Sequence, residues 1–235
     1  MESASPSATV LLSGGLDSTV LLHHVVRSLA RPRVYALSFH YGQRHRRELD
    51  MARWQAAAAG TAVSHTVLDV SFLADLVRGG TALVEGGRAV PDLADLAASQ
   101  CDQPPTYVPN RNMILLALAS AFAEAHGCPE VFYGAQAQDR YGYWDCTPEF
   151  VTRLNATLAL NRRTPVQVVA PFAGWRKSEA VRLGIELGVD FARTWSCYRG
   201  GERPCGTCPT CVERRTAFAE AGIKDPLEVI PQGSD

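Results

Sequence analysis

The chain lacks any run of eighteen apolar residues, so no segment reads as a membrane-spanning helix, and no membrane partner is expected. Its first residues, Met1-Glu2-Ser3-Ala4-Ser5-Pro6, carry no basic stretch, and the apolar run near Val10 breaks at Gly14-Gly15. No export signal is read there, and a cytoplasmic location is expected. Charge of either sign is not in excess: 23 Lys plus Arg face 24 Asp plus Glu. A broad electrostatic grip on a nucleic-acid backbone is therefore not expected. An even cysteine complement is also missing. Seven cysteines without an export signal disfavour a disulfide framework. There is no internal repeat, and no low-complexity segment beyond alanine enrichment. What remains is an ordinary globular composition, 46% apolar and 20% charged, over 235 residues. That length suits one large domain, or one domain with a small module.

The apolar pattern alternates between two periods. Residues 8–12 form a short apolar run that ends at Ser13-Gly14-Gly15. The spacing then predicts a helix over 17–30, a strand over 33–39, a helix over 44–59 and a strand over 62–70. Further helices are expected over 112–126, 148–160 and 176–187, with strands over 130–134 and 166–170. Alternating strands and helices predict an α/β sandwich around a parallel sheet. Residues 71–106 hold Gly79-Gly80, Gly86-Gly87, Pro91 and Pro104-Pro105, and read as an insertion over the sheet edge. From Thr194 a cysteine-rich stretch begins, with a last helix near 212–221. This divides the chain into 1–193 and 194–235.

The glycine pair sits at a strand-to-helix junction, in the string Ser13-Gly14-Gly15-Leu16-Asp17-Ser18-Thr19. Glycines let a backbone approach an anion closely, and the free amides at the following helix start, with the helix dipole, favour negative charge. Ser13 and Ser18 add hydroxyl donors. Asp17 is unexpected in a pure anion site, and a carboxylate beside phosphates points to a bridging Mg²⁺. The G-x-x-x-x-G-K-[ST] and G-x-G-x-x-G spacings are both absent. A plain turn with Asp17 or Ser18 as helix cap is the simpler reading of the glycines alone. The whole string S-G-G-x-D-S favours nucleotide phosphate.

Four of the seven cysteines fall within fifteen residues: Cys197, Cys205, Cys208 and Cys211. Soft sulfur ligands with two-residue spacers suit a closed, structural Zn²⁺ site. The same ligands also allow an iron–sulfur cluster, and Cys208 with Cys211 alone allow a redox pair.

Other residues have two readings each. Arg111 precedes a helix, where it can reach a nucleotide or a carboxylate, or lie in solvent. Lys177 begins a helix, facing phosphates or the surface. Asp139 and Asp145 can hold Mg²⁺, accept two N–H donors from a purine-like edge, or cap loops. Arg44-His45-Arg46-Arg47 is basic, but a solvated helix face explains it equally well, and it is not read as a tRNA site. Cys146, with no partner by spacing, reads as a core or loop thiol.

Six stretches together resemble one known family over nearly the full length. They are SGGLDS at 13–18, HYGQRHRRE at 40–48, VPNRN at 108–112, the region 134–150, Lys177-Ser178-Glu179, and 194–198 through Cys211-Val212-Glu213-Arg214-Arg215. The chain is similar in these to the QueC family of PP-loop ATP pyrophosphatases. The resemblance implies a Rossmann-like, three-layer PP-loop sandwich with a small helical zinc-binding module. It implies ATP, with Mg²⁺, held by Leu12, Ser13, Gly14, Gly15, Leu16, Asp17, Ser18, Thr19, Val20, Leu21 and Leu22. Asp17, Ser18, Arg111 and Lys177 are then the expected catalytic residues. Tyr41, Gln43, Arg111, Asn112, Gln136, Asp139, Tyr143 and Asp145 are the expected contacts to a 7-deazaguanine acid. Zn²⁺ would sit on Cys197, Cys205, Cys208 and Cys211.

The reaction implied is adenylation of 7-carboxy-7-deazaguanine, attack by ammonia to give the amide, and ATP-driven dehydration to the nitrile preQ0. No glutaminase domain fits in 235 residues, so ammonia would be free or brought by a partner. A homodimer is left open. The chain departs from the family pattern at Asn110, where glycine is usual, and at Gln136, Arg140, Tyr141, Trp144 and Thr147. These changes raise an alternative, in which the activated acid passes to another amine on a small molecule or a protein. A tRNA-modifying PP-loop enzyme is a further class, disfavoured by the neutral charge.

Overall fold

The computed structural model describes residues 6–96, 103–137 and 142–227. Among these, five strands form one sheet: β1 (Ala8–Leu11), β2 (Val34–His40), β3 (Val63–Asp69), β4 (Glu130–Phe132) and β5 (Gln167–Val169). Their order is β3-β2-β1-β4-β5 and every pairing is parallel. The α/β class expected from the pattern is therefore observed. Strand order reverses at β1, whose Ala8 pairs with Val34 on one side and Glu130 on the other. Chains leaving β1 and β4 diverge there and open a crevice at their carboxyl ends.

The period-two pattern of the strands makes the three layers. Val10, Val34, Ala36 and Phe132 point into one apolar layer, with α1 (Leu16–His23), α2 (Arg47–Ala58) and α6 (Lys177–Glu186). Leu37, Phe39, Val131, Tyr133 and Val168 point into the other, against α4 (Arg111–Ala125) and α5 (Pro148–Leu158). α7 (Pro209–Ala221) adds Ala217 and Phe218 to the first layer.

Three element boundaries differ from the sequence pattern. α1 ends at His23, and His24–Ser28 continue as a π-helical turn. α2 starts at Arg47 because Gln43 is bridged to Val84 and the Arg44 amide donates to the Leu83 carbonyl. α7 starts at Pro209, so Cys208 is its N-cap and Cys211 lies in its first turn. The described part of 71–106 contains α3 (Phe72–Val77) and lies against the cysteine stretch as well as β2. Ala82 and Val90 pack with Trp195, Cys197 and Cys208, and Arg199 holds Asp92 at 2.6 Å. The basic run is not a plain solvent face: Arg47 donates to the Glu202 carbonyl at 2.6 Å and lies 4.8 Å from the Trp195 ring.

Candidate active site

The loop between β1 and α1 is held by its own hydroxyls. Ser13 Oγ and Ser18 Oγ are 2.9 Å apart, the Ser13 amide donates to Ser18 Oγ, and the Gly15 amide donates to Ser13 Oγ. Gly14 has φ +89°, and a Cβ there would fall 2.0 Å from the Glu48 carbonyl oxygen. Only glycine lets the loop take this turn while lying on α2. The N-cap of α1 is Gly15, and no side chain caps the first turn. The capping reading of Asp17 and Ser18 is thus not the observed one. The helix start keeps its amides and dipole for an anion.

The loop opens on a cavity of about 260 Å³ at the crevice between β1 and β4. Ser13, Gly15, Asp17 and Ser18 line one end, and Tyr41, Arg111, Asn112, Tyr143 and Tyr198 another. Gly134 lies against the Asp17–Ser18 peptide, where a Cβ would come within 3.3 Å. Arg111 opens α4, with its guanidinium 5.9 Å from the Tyr41 ring. Burial pushes the Tyr41 hydroxyl up to about 12, against the pull of the Arg111 cation. The residue before Arg111 is Asn110, in the left-handed region at φ 54°. Asparagine is the commonest non-glycine residue there, so the replacement of a usual glycine keeps the turn.

Asp145 lies behind this end and is 2% exposed. Its Oδ2 accepts from the Asn112 amide at 3.3 Å, which places a carboxylate at the α4 N-terminus. Burial raises its pKa and the Arg111 cation lowers it. Asn112 Nδ2 donates to Cys146 Sγ at 3.3 Å, and Cys146 lines the cavity.

Lys177, the first residue of α6, is buried beside the loop. Its Nζ lies 3.5 Å from Asp17 Oδ2 and 3.1 Å from Glu213 Oε2. A cation is disfavoured at a helix N-terminus, and these two carboxylates hold it there. Burial raises the Asp17 pKa, offset in part by Lys177, and among the described residues Asp17 Oδ1 has no hydrogen-bond partner. A carboxylate oxygen held bare beside phosphate donors suits a cation arriving with the nucleotide.

The four sulfurs of Cys197, Cys205, Cys208 and Cys211 lie within 4.8 Å of one another. A tetrahedral ion with bonds of about 2.3 Å to sulfur needs spacings of roughly 3.8 Å. Cys205 and Cys211 already stand 3.9 Å apart. A four-iron cube would hold its thiolates further apart, at outer corners, so the set fits a single ion. This stretch also reaches the active cavity through Trp195, Ser196, Tyr198, Pro209, Thr210, Glu213 and Arg214.

Several expected contacts lie elsewhere. Thr19, Val20, Leu21 and Leu22 are fully buried in the core and do not line the cavity, nor does Gly14. Gln43 accepts from the Tyr41 amide at 2.8 Å and donates to the Phe39 carbonyl at 3.0 Å, shaping the turn after β2. Gln136 is fully buried beyond the cavity lining. Asp139, Arg140 and Tyr141 lie outside the described residues. Trp144 does not face the cavity: it is 45% exposed and donates to Tyr107 Oη at 2.8 Å. Thr147 caps α5, accepting from the Phe150 amide at 3.1 Å. The departures at Asn110, Trp144 and Thr147 are thus backbone and surface features, which removes their support for another amine acceptor. The sequence pattern missed His45, Glu48, Tyr198 and Glu213 on the cavity wall. His45 was hidden in a basic run, and Glu213 in a last helix, 212–221, that carried no expected site residue.

A family model described as queuosine biosynthesis protein QueC matches residues 7–222. The chain belongs to this family. Among its QueC relatives is a 7-cyano-7-deazaguanine synthase of Chromohalobacter salexigens, 44% identical over 94% of this chain and 84% of the relative. Another, from Archaeoglobus fulgidus, is 45% identical over 94% and 89%. A third, from Alteromonas mediterranea, is 40% identical over 95% and 99%. Solved structures share the fold. A U34-tRNA thiolase from Methanococcus maripaludis, with its [4Fe-4S] cluster, has a TM-score of 0.50 at 16% identity, covering 85% of this chain and 64% of that one. NMN synthetase from Francisella tularensis has a TM-score of 0.50 at 14% identity, covering 94% and 79%. At those identities the likeness is one of fold. No helix among the described residues is long and apolar enough to cross a membrane.

Proposed function

We propose that this QueC-family chain is an ATP-dependent ligase that converts 7-carboxy-7-deazaguanine to 7-cyano-7-deazaguanine. The observation that carries the reading is one cavity shared by the uncapped phosphate loop, Lys177 and Arg111. A carboxylate is a poor electrophile, and joining it to AMP supplies a leaving group. The loop amides with Ser13 and Ser18 bind the departing pyrophosphate, and the Lys177 ammonium neutralises charge on the phosphates. Arg111 pairs with the substrate carboxylate and turns it toward the α-phosphate. Ammonia then displaces AMP to give the amide, and a second ATP drives its dehydration.

Mg²⁺ bound with the nucleotide would be held by Asp17 and would stabilise phosphate charge. Zn²⁺ on the four cysteines would be structural, since all four positions are protein thiolates. The test offers the protein ATP, Mg²⁺, 7-carboxy-7-deazaguanine and ammonium. The expected products by mass are AMP, pyrophosphate, the amide and then the nitrile. No AMP with the acid present would overturn the proposal.

A further inference from the structure

The adenylation machinery leaves one imidazole–carboxylate pair on the cavity wall without a task. His45 and Glu48 come from the turn and first helical turn after β2, with His45 Nε2 3.3 Å from Glu48 Oε1. Both side chains are nearly buried, 4% and 12% exposed, and both line the cavity. The Glu48 backbone carbonyl lies against Gly14, so this residue borders the phosphate loop. Tyr41 and Arg111, whose guanidinium stands 5.9 Å from the Tyr41 ring, line the same cavity. Glu48 therefore lies between the end that holds phosphate and the end that holds a carboxylate. That is where the acyl carbon of an adenylate must sit. The Tyr198 ring, 5.6 Å from the His45 ring, closes the wall.

We infer that Glu48 is the ammonium-binding carboxylate and takes the proton that ammonium must lose, with His45 as its positioning residue. This rests on the ligase reading above. A carboxylate in a cavity walled by aromatic rings suits a small cation, since both groups attract positive charge. Ammonium gives one proton to Glu48, and its freed electron pair forms the C–N bond. The C–O bond to AMP breaks with its electrons on AMP, and the new nitrogen passes a second proton to the departing AMP phosphate, leaving the neutral amide. His45 fixes the Glu48 rotamer through Nε2 and gives the accepted proton a second residence.

The experiment compares wild type, Glu48→Gln and His45→Asn in two assays. One is exchange of labelled pyrophosphate into ATP, driven by 7-carboxy-7-deazaguanine without amine. The other is amide formation against ammonium concentration. Glu48→Gln is expected to exchange pyrophosphate while its KM for ammonium rises about tenfold or more. Hydroxylamine, a neutral nucleophile near pH 7, should restore product formation as the hydroxamate. His45→Asn should show a smaller rise in the same KM. An unchanged ammonium KM in Glu48→Gln, or no rescue by hydroxylamine, overturns the inference. Loss of exchange in Glu48→Gln alone also overturns it, by placing Glu48 in the first step. Absence of exchange in the wild type instead overturns the ligase reading.

Discussion

The Trp195 amide donates to the Gly14 carbonyl oxygen at 3.0 Å, so the cysteine-rich stretch is hydrogen-bonded to the phosphate loop itself. Two residues later comes Cys197, the first of the four sulfurs. Disturbing the sulfur site therefore disturbs the nucleotide site. A strong chelator, or Cys205→Ser, is expected to lower the Tm and raise the KM for ATP together. Metal analysis with ATP titration before and after chelation checks this. A KM for ATP that stays fixed while the metal is lost would separate the two sites. Iron with visible charge-transfer absorbance would refute zinc.

Asp17→Asn should separate function from stability. Pyrophosphate formation is expected to fall by about 10³ or more, as a cation and phosphate contact is lost. Stability should not fall with it. Burial raises the Asp17 pKa in the folded chain, so the folded state binds more protons than the unfolded one above the ordinary carboxylate range. Stability from this group is then present at low pH and lost as pH rises through the raised value. Asparagine removes that loss. Thermal unfolding without nucleotide should give Asp17→Asn a Tm at neutral pH equal to or above wild type. A clear decrease would show that the Lys177 pairing outweighs burial.

Acid should weaken the fold through its histidines. Burial holds His23, His24 and His65 below the ordinary 6.5. The unfolded chain then binds more protons just below that value, so stability is present above it and falls as pH drops. His24 packs on the Phe172 ring at 5.8 Å, a contact that phenylalanine can keep. His24→Phe should flatten the decline of Tm between pH 6.5 and 5 and leave the Tm at pH 8 near wild type. An unaltered decline would assign the acid effect to other groups.

Asn110 offers a backbone test. Its φ of 54° costs a residue with a Cβ about 1–2 kcal/mol, less for asparagine and nothing for glycine. Asn110→Gly should be neutral or slightly stabilising in urea unfolding. Asn110→Ala should lose about 1 kcal/mol and weaken the site through Arg111. Equal stability of the two variants would mean that the Asn110 side chain, not its conformation, matters.

The layers were legible because central strands such as β2 are apolar on both faces, with Val34 and Ala36 in one layer and Leu37 and Phe39 in the other. The phosphate loop was legible because its chemistry lies in one short string. What escaped was set by long-range packing. Nothing local to His45 marks it as buried, since its burial comes from Tyr198, more than half the chain away. Trp144 stands out in sequence only as a departure from the family pattern, whereas its half-exposed ring donates its indole N–H to the buried Tyr107. Cys208-x-x-Cys211 reads as a loop by composition, yet Pro209 fits the first helical position, where its missing N–H costs nothing.

The bond between Gly14 and Trp195 also has a bearing on how the molecule comes into being. A ribosome releases β1, its loop and α1 early, long before Trp195, Lys177 and Glu213 exist. The anion-binding turn cannot reach its working form early on the nascent chain, because Trp195, in its last wall, is translated about 180 residues after Gly14. Closure of the catalytic chamber is thus a late, high-contact-order event, and a truncated product leaves the ribosome with an unfinished site.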